Sequence, residues 1–217
     1  MVRRAPETRA VTQTYLIGLT GGIACGKSTV LRMLEALGAR VVDADQVTHR
    51  VQEPGTPVYA QIVAAFGEEV LQYPGGPLDR RRLGSIVFAD PGRLRELEAI
   101  VHPAVRAEIR AFLAEVAASA ERPVAVIDAI KLIESGWARE CDQVWVVTCP
   151  EEQQVARLVA TRGMSEAEAR QRIAAQAPQS SRLPYATVTI DNGGTPEATR
   201  AQVEAAWQRV LAALGSR

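Results

Sequence analysis

Gly18-Leu19-Thr20-Gly21-Gly22-Ile23-Ala24-Cys25-Gly26-Lys27-Ser28-Thr29 carries Gly21, Gly26, Lys27 and Ser28 at the defining positions of the pattern G-x-x-x-x-G-K-[ST]. Phosphate oxygens need several donors converging at short range, and glycines let backbone N–H groups turn inward where a Cβ would collide. A helix opening at Lys27 adds its unpaired N–H groups and positive dipole end to the same anion site. By this mechanism Lys27 reaches the β- and γ-phosphates and the Ser28 hydroxyl ligates Mg²⁺. The flanks agree. Tyr15-Leu16-Ile17-Gly18-Leu19 is a short apolar run of strand type, and Val30, Leu31, Leu34 and Leu37 recur at helical spacing before Gly38, a helix stop. Only two of the 25 lysines and arginines are lysine, Lys27 and Lys131, so a compact ammonium at position 27 points to chemistry that requires one.

At 217 residues the chain suits one domain with inserted subdomains and can bury a sizeable core. Its formal charge is zero and its pI about 6.8, which argues against a nonspecific nucleic-acid binder. No apolar run reaches the length of a membrane span. Residues 1–14 lack the apolar segment of a secretory signal and read as a flexible N-terminal extension. Cys25, Cys141 and Cys149 are too few and too scattered for a disulfide framework or zinc site, which fits a reducing cytoplasm. Cys25 lies in the phosphate loop near a helix N-terminus that lowers thiol pKa values; the spacing favours a small residue that fits the loop, without redox control.

Beyond the first helix, Ala39-Arg40-Val41-Val42-Asp43-Ala44-Asp45 reads as a second strand ending in two carboxylates. Two residues apart on an extended segment, Asp43 and Asp45 face the same side, at the strand ends where open parallel sheets bind ligands. That arrangement suits one carboxylate on a substrate hydroxyl and one near a metal or its waters; the alternative is that Asp45 caps a helix from Gln46. Residues 46–121 show helical periodicity, with stretches over 78–88 and 91–118 and an interruption at His102-Pro103. His102 is either a substrate donor or a structural residue. Pro123–Asp128, Gln143–Val147 and Thr187–Ile190 read as buried strands, Asp128 ending the first of them or capping a following helix. Between Arg157 and Arg182 lies an arginine-bearing helical hairpin with its turn at Gly163 and a capping box at Ser165 and Glu168. A last amphipathic helix runs from Pro196 to Leu214.

The chain resembles dephospho-CoA kinases from Leu16 to about Gly194. The resemblance is carried by Thr20-Gly21-Gly22-Ile23 with Gly26-Lys27-Ser28-Thr29, Asp43-Ala44-Asp45, Glu53-Pro54-Gly55, Phe66-Gly67, Leu78-Asp79-Arg80 with Leu83, Val87-Phe88, His102-Pro103, Arg172-Ile173 with Gln176, and Ile190-Asp191-Asn192. It implies a nucleoside-monophosphate-kinase type of P-loop α/β fold with a five-stranded parallel sheet flanked by helices. The core would comprise 15–45, 122–160 and 184–217, with a dephospho-CoA-binding insertion at 46–121 and a lid at 161–183. The implied reaction transfers the γ-phosphoryl of ATP, with Mg²⁺, to the ribose 3′-hydroxyl of dephospho-CoA. Gly21, Gly22, Ala24, Cys25, Gly26, Lys27, Ser28, Thr29, Arg157 and Asn192 would bind ATP, with Ser28 on the metal. Asp45 would accept the hydroxyl proton, with Asp43, Lys27 and Arg157 assisting; Asp45 and His102 would contact dephospho-CoA. A cytoplasmic monomer or weak homo-oligomer, without nucleic-acid or membrane partners, is expected. Two positions depart from the family: Ile130-Lys131-Leu132-Ile133-Glu134 replaces Pro-Leu-Leu before a glutamate, and Thr161 followed by Arg162 stands where a second lid arginine is common.

Two other readings share the loop. A kinase for another small nucleoside or nucleotide needs the same phosphate chemistry, and a catalytically idle ATP-binding regulator needs only the loop. A GTPase needs Asn-Lys-x-Asp for guanine, but the chain's single asparagine, Asn192, is followed by glycine.

Overall fold

The computed structural model describes residues 14–119 and 123–215, so all but Thr14 of the expected extension lies outside the described residues. Strands β1 (Tyr15–Gly21), β2 (Arg40–Asp43), β3 (Val124–Asp128), β4 (Gln143–Thr148) and β5 (Val188–Asp191) form one sheet in the order β2-β3-β1-β4-β5. β1 runs parallel to both β3 and β4, and β4 parallel to β5, as expected for the α/β class. The order reverses at β1, and ligands of open α/β sheets bind beyond the strand ends at such a reversal. Register sets Leu19 beside Asp128 and Gly21 beside Val147, so the loop leaving β1 rises between the ends of β3 and β4.

The chain divides into two compact units, one containing the described residues through Val42 and from Leu113 onward, the other Asp43–Phe112. In the first, every residue of β1 and β3 is buried, the mark of strands covered on both faces. Helices α1 (Lys27–Ala36) and α8 (Pro196–Gly215) place Val30, Leu34, Val203, Ala206, Trp207 and Val210 in one cluster with Ile17, Leu19, Trp145 and Ile190. Helices α6 (Glu151–Arg162) and α7 (Glu166–Ala174) form the hairpin read from the sequence. Its turn is Gly163 at φ +62°, and the Ser165–Glu168 capping box opens α7. Val155, Leu158 and Ala169 of this hairpin pack against Ile23 and Ala24 of the phosphate loop.

The second unit is helical: α2 (Ala44–Val51), α3 (Pro57–Phe66), α4 (Arg80–Ala89) and the first part of α5 (Pro91–Ser119). Val47, Val51, Val58, Ile62, Phe66, Leu83, Val87, Val101, Val105 and Ile109 supply its buried side chains. Two local expectations are corrected here. Asp45 is not on a strand, because β2 stops at Asp43, whose Oδ1 accepts the N–H groups of Asp45 and Gln46 at 2.9 Å and so starts α2 early. His102-Pro103 does not interrupt the third helical stretch. α5 runs through Pro103, and burial of Val101, Val105 and Ile109 outweighs the roughly 3 kcal/mol that an interior proline costs.

Candidate active site

The phosphate loop runs from Gly21 at the end of β1 to Gly26, which precedes α1 in the left-handed region at φ +87°. No side chain caps α1, so the N–H groups of Lys27 and Ser28 at its start are left for an anion. Ala24 also has positive φ, +56°, the one non-glycine case among the described residues. Such a backbone costs on the order of 1–3 kcal/mol and persists where its surroundings hold it.

Those surroundings come from remote parts of the same unit. Arg157 of α6 donates to the Ala24 carbonyl at 3.2 Å and to the Asn192 carbonyl at 2.8 Å. The Asn192 carboxamide, buried just beyond β5, donates to the Cys25 carbonyl at 2.7 Å and accepts from the Thr199 hydroxyl at 3.0 Å. Gln176, after α7, accepts the Ile23 N–H at 2.9 Å, and Gln154 of α6 donates to the Cys25 sulfur. Ile23, Ala24 and Cys25 are thus each bound by the α6–α7 hairpin or its flank, and Asn192 is directed at the loop backbone.

Lys27 opens α1 with its ammonium paired to Asp128 at the end of β3; their side chains are 17% and 7% exposed. The Ser28 hydroxyl side faces solvent on the next residue, and Thr29 donates its N–H to the Gly26 carbonyl at 2.9 Å. Gly21 and Gly22 admit no side chain without disturbance: an added Cβ would lie 2.7 Å from the Val147 carbonyl and 3.0 Å from Gln154 Nε2 respectively. Lys131 is exposed, and Thr161 turns its hydroxyl back onto the Arg157 carbonyl at 2.6 Å, leaving the exposed Arg162 at the end of α6.

In the second unit Asp45 is exposed in the first turn of α2, and Asp43 is committed to capping that helix. His102 is exposed on α5 and, with Arg95, Glu98, Ala99, Pro103 and Arg106, lines an open hollow of about 530 Å³.

The family model for dephospho-CoA kinase matches residues 15–197, which contain all of these groups except Thr199. The chain belongs to the dephospho-CoA kinase family. A dephospho-CoA kinase of Symbiobacterium thermophilum is 54% identical over 193 residues, covering 89% of this chain and 80% of the relative. One from Geobacter sulfurreducens is 51% identical over 196 residues, covering 89% and 98%. Among solved structures, TT1252 from Thermus thermophilus superposes with a TM-score of 0.77 at 35% identity, covering 93% of this chain and 98% of that one. The dephospho-CoA kinase of Campylobacter jejuni, at 24% identity and TM-score 0.56, shares the fold.

Dephospho-CoA kinases use ATP with Mg²⁺, and the residues present suit both. The uncapped start of α1 and the glycine-turned loop fit a polyphosphate. Among the described residues no three His, Cys, Asp or Glu side chains cluster as a metal cage. Mg²⁺ does not need one: it keeps several waters and takes one or two protein ligands together with substrate phosphates. Ser28 and Asp128, at the ends of the loop and of β3, are the groups of this unit suited to that task. The sequence pointed to Asp128 as a strand-end carboxylate but not to its pairing with Lys27. The loop-holding role of Gln154 had no local signal, and Gln176 entered only as part of the family resemblance, without a contact to Ile23.

Proposed function

We propose that Lys27, Ser28 and Arg157 serve the transfer of the γ-phosphoryl group of ATP to the ribose 3′-hydroxyl of dephospho-CoA, with Asp45 as the acceptor of the hydroxyl proton. The observation that carries the reading is the loop itself, an uncapped helix start preceded by a left-handed Gly26 and an ion-paired Lys27. ATP with Mg²⁺ supplies the transferable phosphoryl group and a divalent cation to offset its charge. The loop amides not bonded within the protein, those of Gly26, Lys27 and Ser28 foremost, hold phosphate oxygens, and Lys27 exchanges its Asp128 partner for them. Arg157 keeps the Ala24 and Asn192 carbonyls turned away from that anion by donating to both. Ser28 would ligate Mg²⁺, and Asp128, once Lys27 turns to the phosphates, would accept hydrogen bonds from its waters. Asp43 fixes the start of α2 and so the position of Asp45. Residues 46–121, His102 included, hold dephospho-CoA, and 161–183 act as the lid. A cytoplasmic monomer or weak homo-oligomer without nucleic-acid partners accords with the zero net charge. Among the described residues no helix is long and apolar enough to cross a membrane.

Incubation of purified protein with Mg²⁺, ATP and dephospho-CoA, adenosine, AMP or pantothenate tests the substrate. Mass spectrometry of the products is expected to show 3′-phosphorylated coenzyme from dephospho-CoA alone; its absence refutes the reading. Asp45→Asn is expected to retain ATP binding and lower turnover by roughly two to four orders of magnitude, the usual contribution of a positioned base. Near-normal turnover would remove Asp45 from the chemistry.

A further inference from the structure

Cys25 and Cys149 lie far apart in sequence, yet the fold brings them onto one carboxamide and into electrostatic contact. The sheet explains the meeting. Gly21 at the end of β1 is level with Val147 on β4, and Cys149 directly follows the end of β4 at Thr148, beneath the loop that holds Cys25. Both residues are buried, with exposures of 0% and 5%. A single carboxamide spans them: Gln179 Oε1 accepts from the Cys25 thiol at 3.8 Å and from the Cys149 N–H at 3.3 Å. The Cys149 sulfur lies 4.0 Å from the carbonyl of Ala24, the residue before Cys25. Phosphoryl transfer uses neither sulfur.

We propose that Cys25 and Cys149 form an oxidation site for hydroperoxides, closing to a disulfide that disables the phosphate loop; the consequence for activity rests on the ATP-binding reading given above. The two thiols are chemically unequal. Hydrogen bonds from Cys149 and then Gln154 hold the Cys25 thiol below its ordinary range against the opposing effect of burial. The Cys25 contact and burial push the Cys149 thiol up. Cys25 is therefore the nucleophile and Cys149 the resolving thiol. The Cys25 sulfur forms an S–O bond to one peroxide oxygen as the O–O bond breaks, and the departing oxyanion takes a proton to leave as water or alcohol. Cys149 sulfur then attacks the resulting sulfenic acid, the S–O bond breaks, and hydroxide leaves with the Cys149 proton as water. Two electrons pass from the thiols to the peroxide.

The consequence follows from bond length. A disulfide holds its sulfurs about 2.05 Å apart, closer than any non-bonded contact of two sulfur atoms, so closure draws Cys25 toward the end of β4 and off Gln179. β4 is fixed between two strands, and the loop has to yield. Cys25 is tied through its carbonyl to Asn192, and its neighbours carry the phosphate-binding amides. A displacement of about 1 Å in such a site costs on the order of 100-fold in rate. Cys141 is the internal control: burial, then the charges of Asp142 and Glu140, push its thiol up to about 12.

The test treats the reduced full-length enzyme with a slight excess of hydrogen peroxide, blocks remaining thiols with N-ethylmaleimide and maps the product by mass spectrometry. The expected product has lost two hydrogens and carries one blocked thiol of the three cysteines, at Cys141, with a peptide joining Cys25 to Cys149. Turnover is expected to fall about 100-fold and to return with dithiothreitol. Cys149→Ser, with unchanged starting activity, is expected to form no link and to pass to sulfinic acid without recovery. Unchanged mass, or a map lacking the Cys25–Cys149 link, overturns the proposal, as does linked enzyme of undiminished turnover. If the reduced enzyme itself fails to phosphorylate dephospho-CoA, the function proposed above falls, while the linkage map still decides the thiol pair.

Discussion

Gly26 and Asn192 support the phosphate loop as one unit, and a double-mutant cycle reads that coupling. An ideal Cβ on Gly26 would lie 1.9 Å from Asn192 Nδ2, a distance no pair of atoms tolerates, so Gly26→Ala must expel the carboxamide. Expulsion breaks the 2.7 Å bond to the Cys25 carbonyl and the 3.0 Å bond from Thr199. Thr199 still has the Thr195 carbonyl at 3.3 Å, so the Cys25 carbonyl is the group left without its donor. A buried group stranded in this way costs about 1–3 kcal/mol, and the vacated space raises the loss from Asn192→Ala to about 3 kcal/mol. Gly26→Ala adds roughly 1 kcal/mol for an L residue held at positive φ, about 4 kcal/mol together. In the double variant the Cys25–Asn192 bond is lost only once and the methyl keeps only an ordinary 3.4 Å contact with Arg157. Its cost is therefore about 4 kcal/mol, where simple addition gives about 7 kcal/mol.

Thermal unfolding of the four proteins measures this, at about 2–4 °C per kcal/mol for a chain of this size. The expected falls in Tm are about 6–12 °C for Asn192→Ala, and somewhat more for both Gly26→Ala and the double variant. KM for ATP is expected to rise in all three, because the loop carbonyl is unpinned. Additive losses, with the double variant melting well below either single one, would refute the claim that Asn192 is what Gly26 makes room for.

Asp128→Asn is expected to destabilise the nucleotide-free enzyme by about 1–3 kcal/mol, less than a fully buried pair because Lys27 is 17% exposed, with most of the loss recovered on adding Mg-ATP. Melting curves with and without nucleotide check it, and equal losses in both would show that phosphate does not replace Asp128 on Lys27. Gln176→Ala removes the acceptor from Ile23 and is expected to raise KM for ATP several-fold while KM for dephospho-CoA holds; a change in the second constant alone would contradict the assignment. Pro103→Ala restores a helix N–H in α5 and is expected to raise Tm, by up to about 3 kcal/mol in stability, as read by calorimetry.

Much of what depends on near neighbours is legible in the sequence, and the misreadings fall where two demands compete for the same residues or where distant strands meet. The phosphate loop, the five strands and the Ser165–Glu168 box depend on near neighbours, so their spacing carries them. Asp45 was misread as extended because strand and cap compete for the same residues there; Asp43 satisfies two helix N–H groups and tips the balance toward α2. At Pro103 local propensity pointed to a break, and the buried side chains on either side of it prevailed. The pairing of Lys27 with Asp128 and the meeting of Cys25 and Cys149 at Gln179 follow from strand order. No periodicity announces that β1 lies between β3 and β4.

That dependence on strand order bears on what the loop motif means. Ala24 sits at positive φ with no glycine's freedom, and the loop between Gly21 and Gly26 makes few bonds to itself, the Cys25 N–H to the Gly22 carbonyl at 3.2 Å being one. A segment so poorly tied would relax if it stood alone. It is held open by Arg157 on Ala24, Gln176 on Ile23 and Asn192 on Cys25, which come from α6, the end of α7 and the turn after β5. The loop is therefore arranged during folding, so on the function proposed above its ordering cost is met before a phosphate binds. Because Gln154, Arg157 and Gln176 flank or belong to the hairpin that packs on Ile23 and Ala24, movement of that hairpin cannot leave the loop unchanged. The conformation of the loop is in that sense a property of α6 and α7 as much as of the glycine-rich run, and on the function proposed above phosphate affinity follows it.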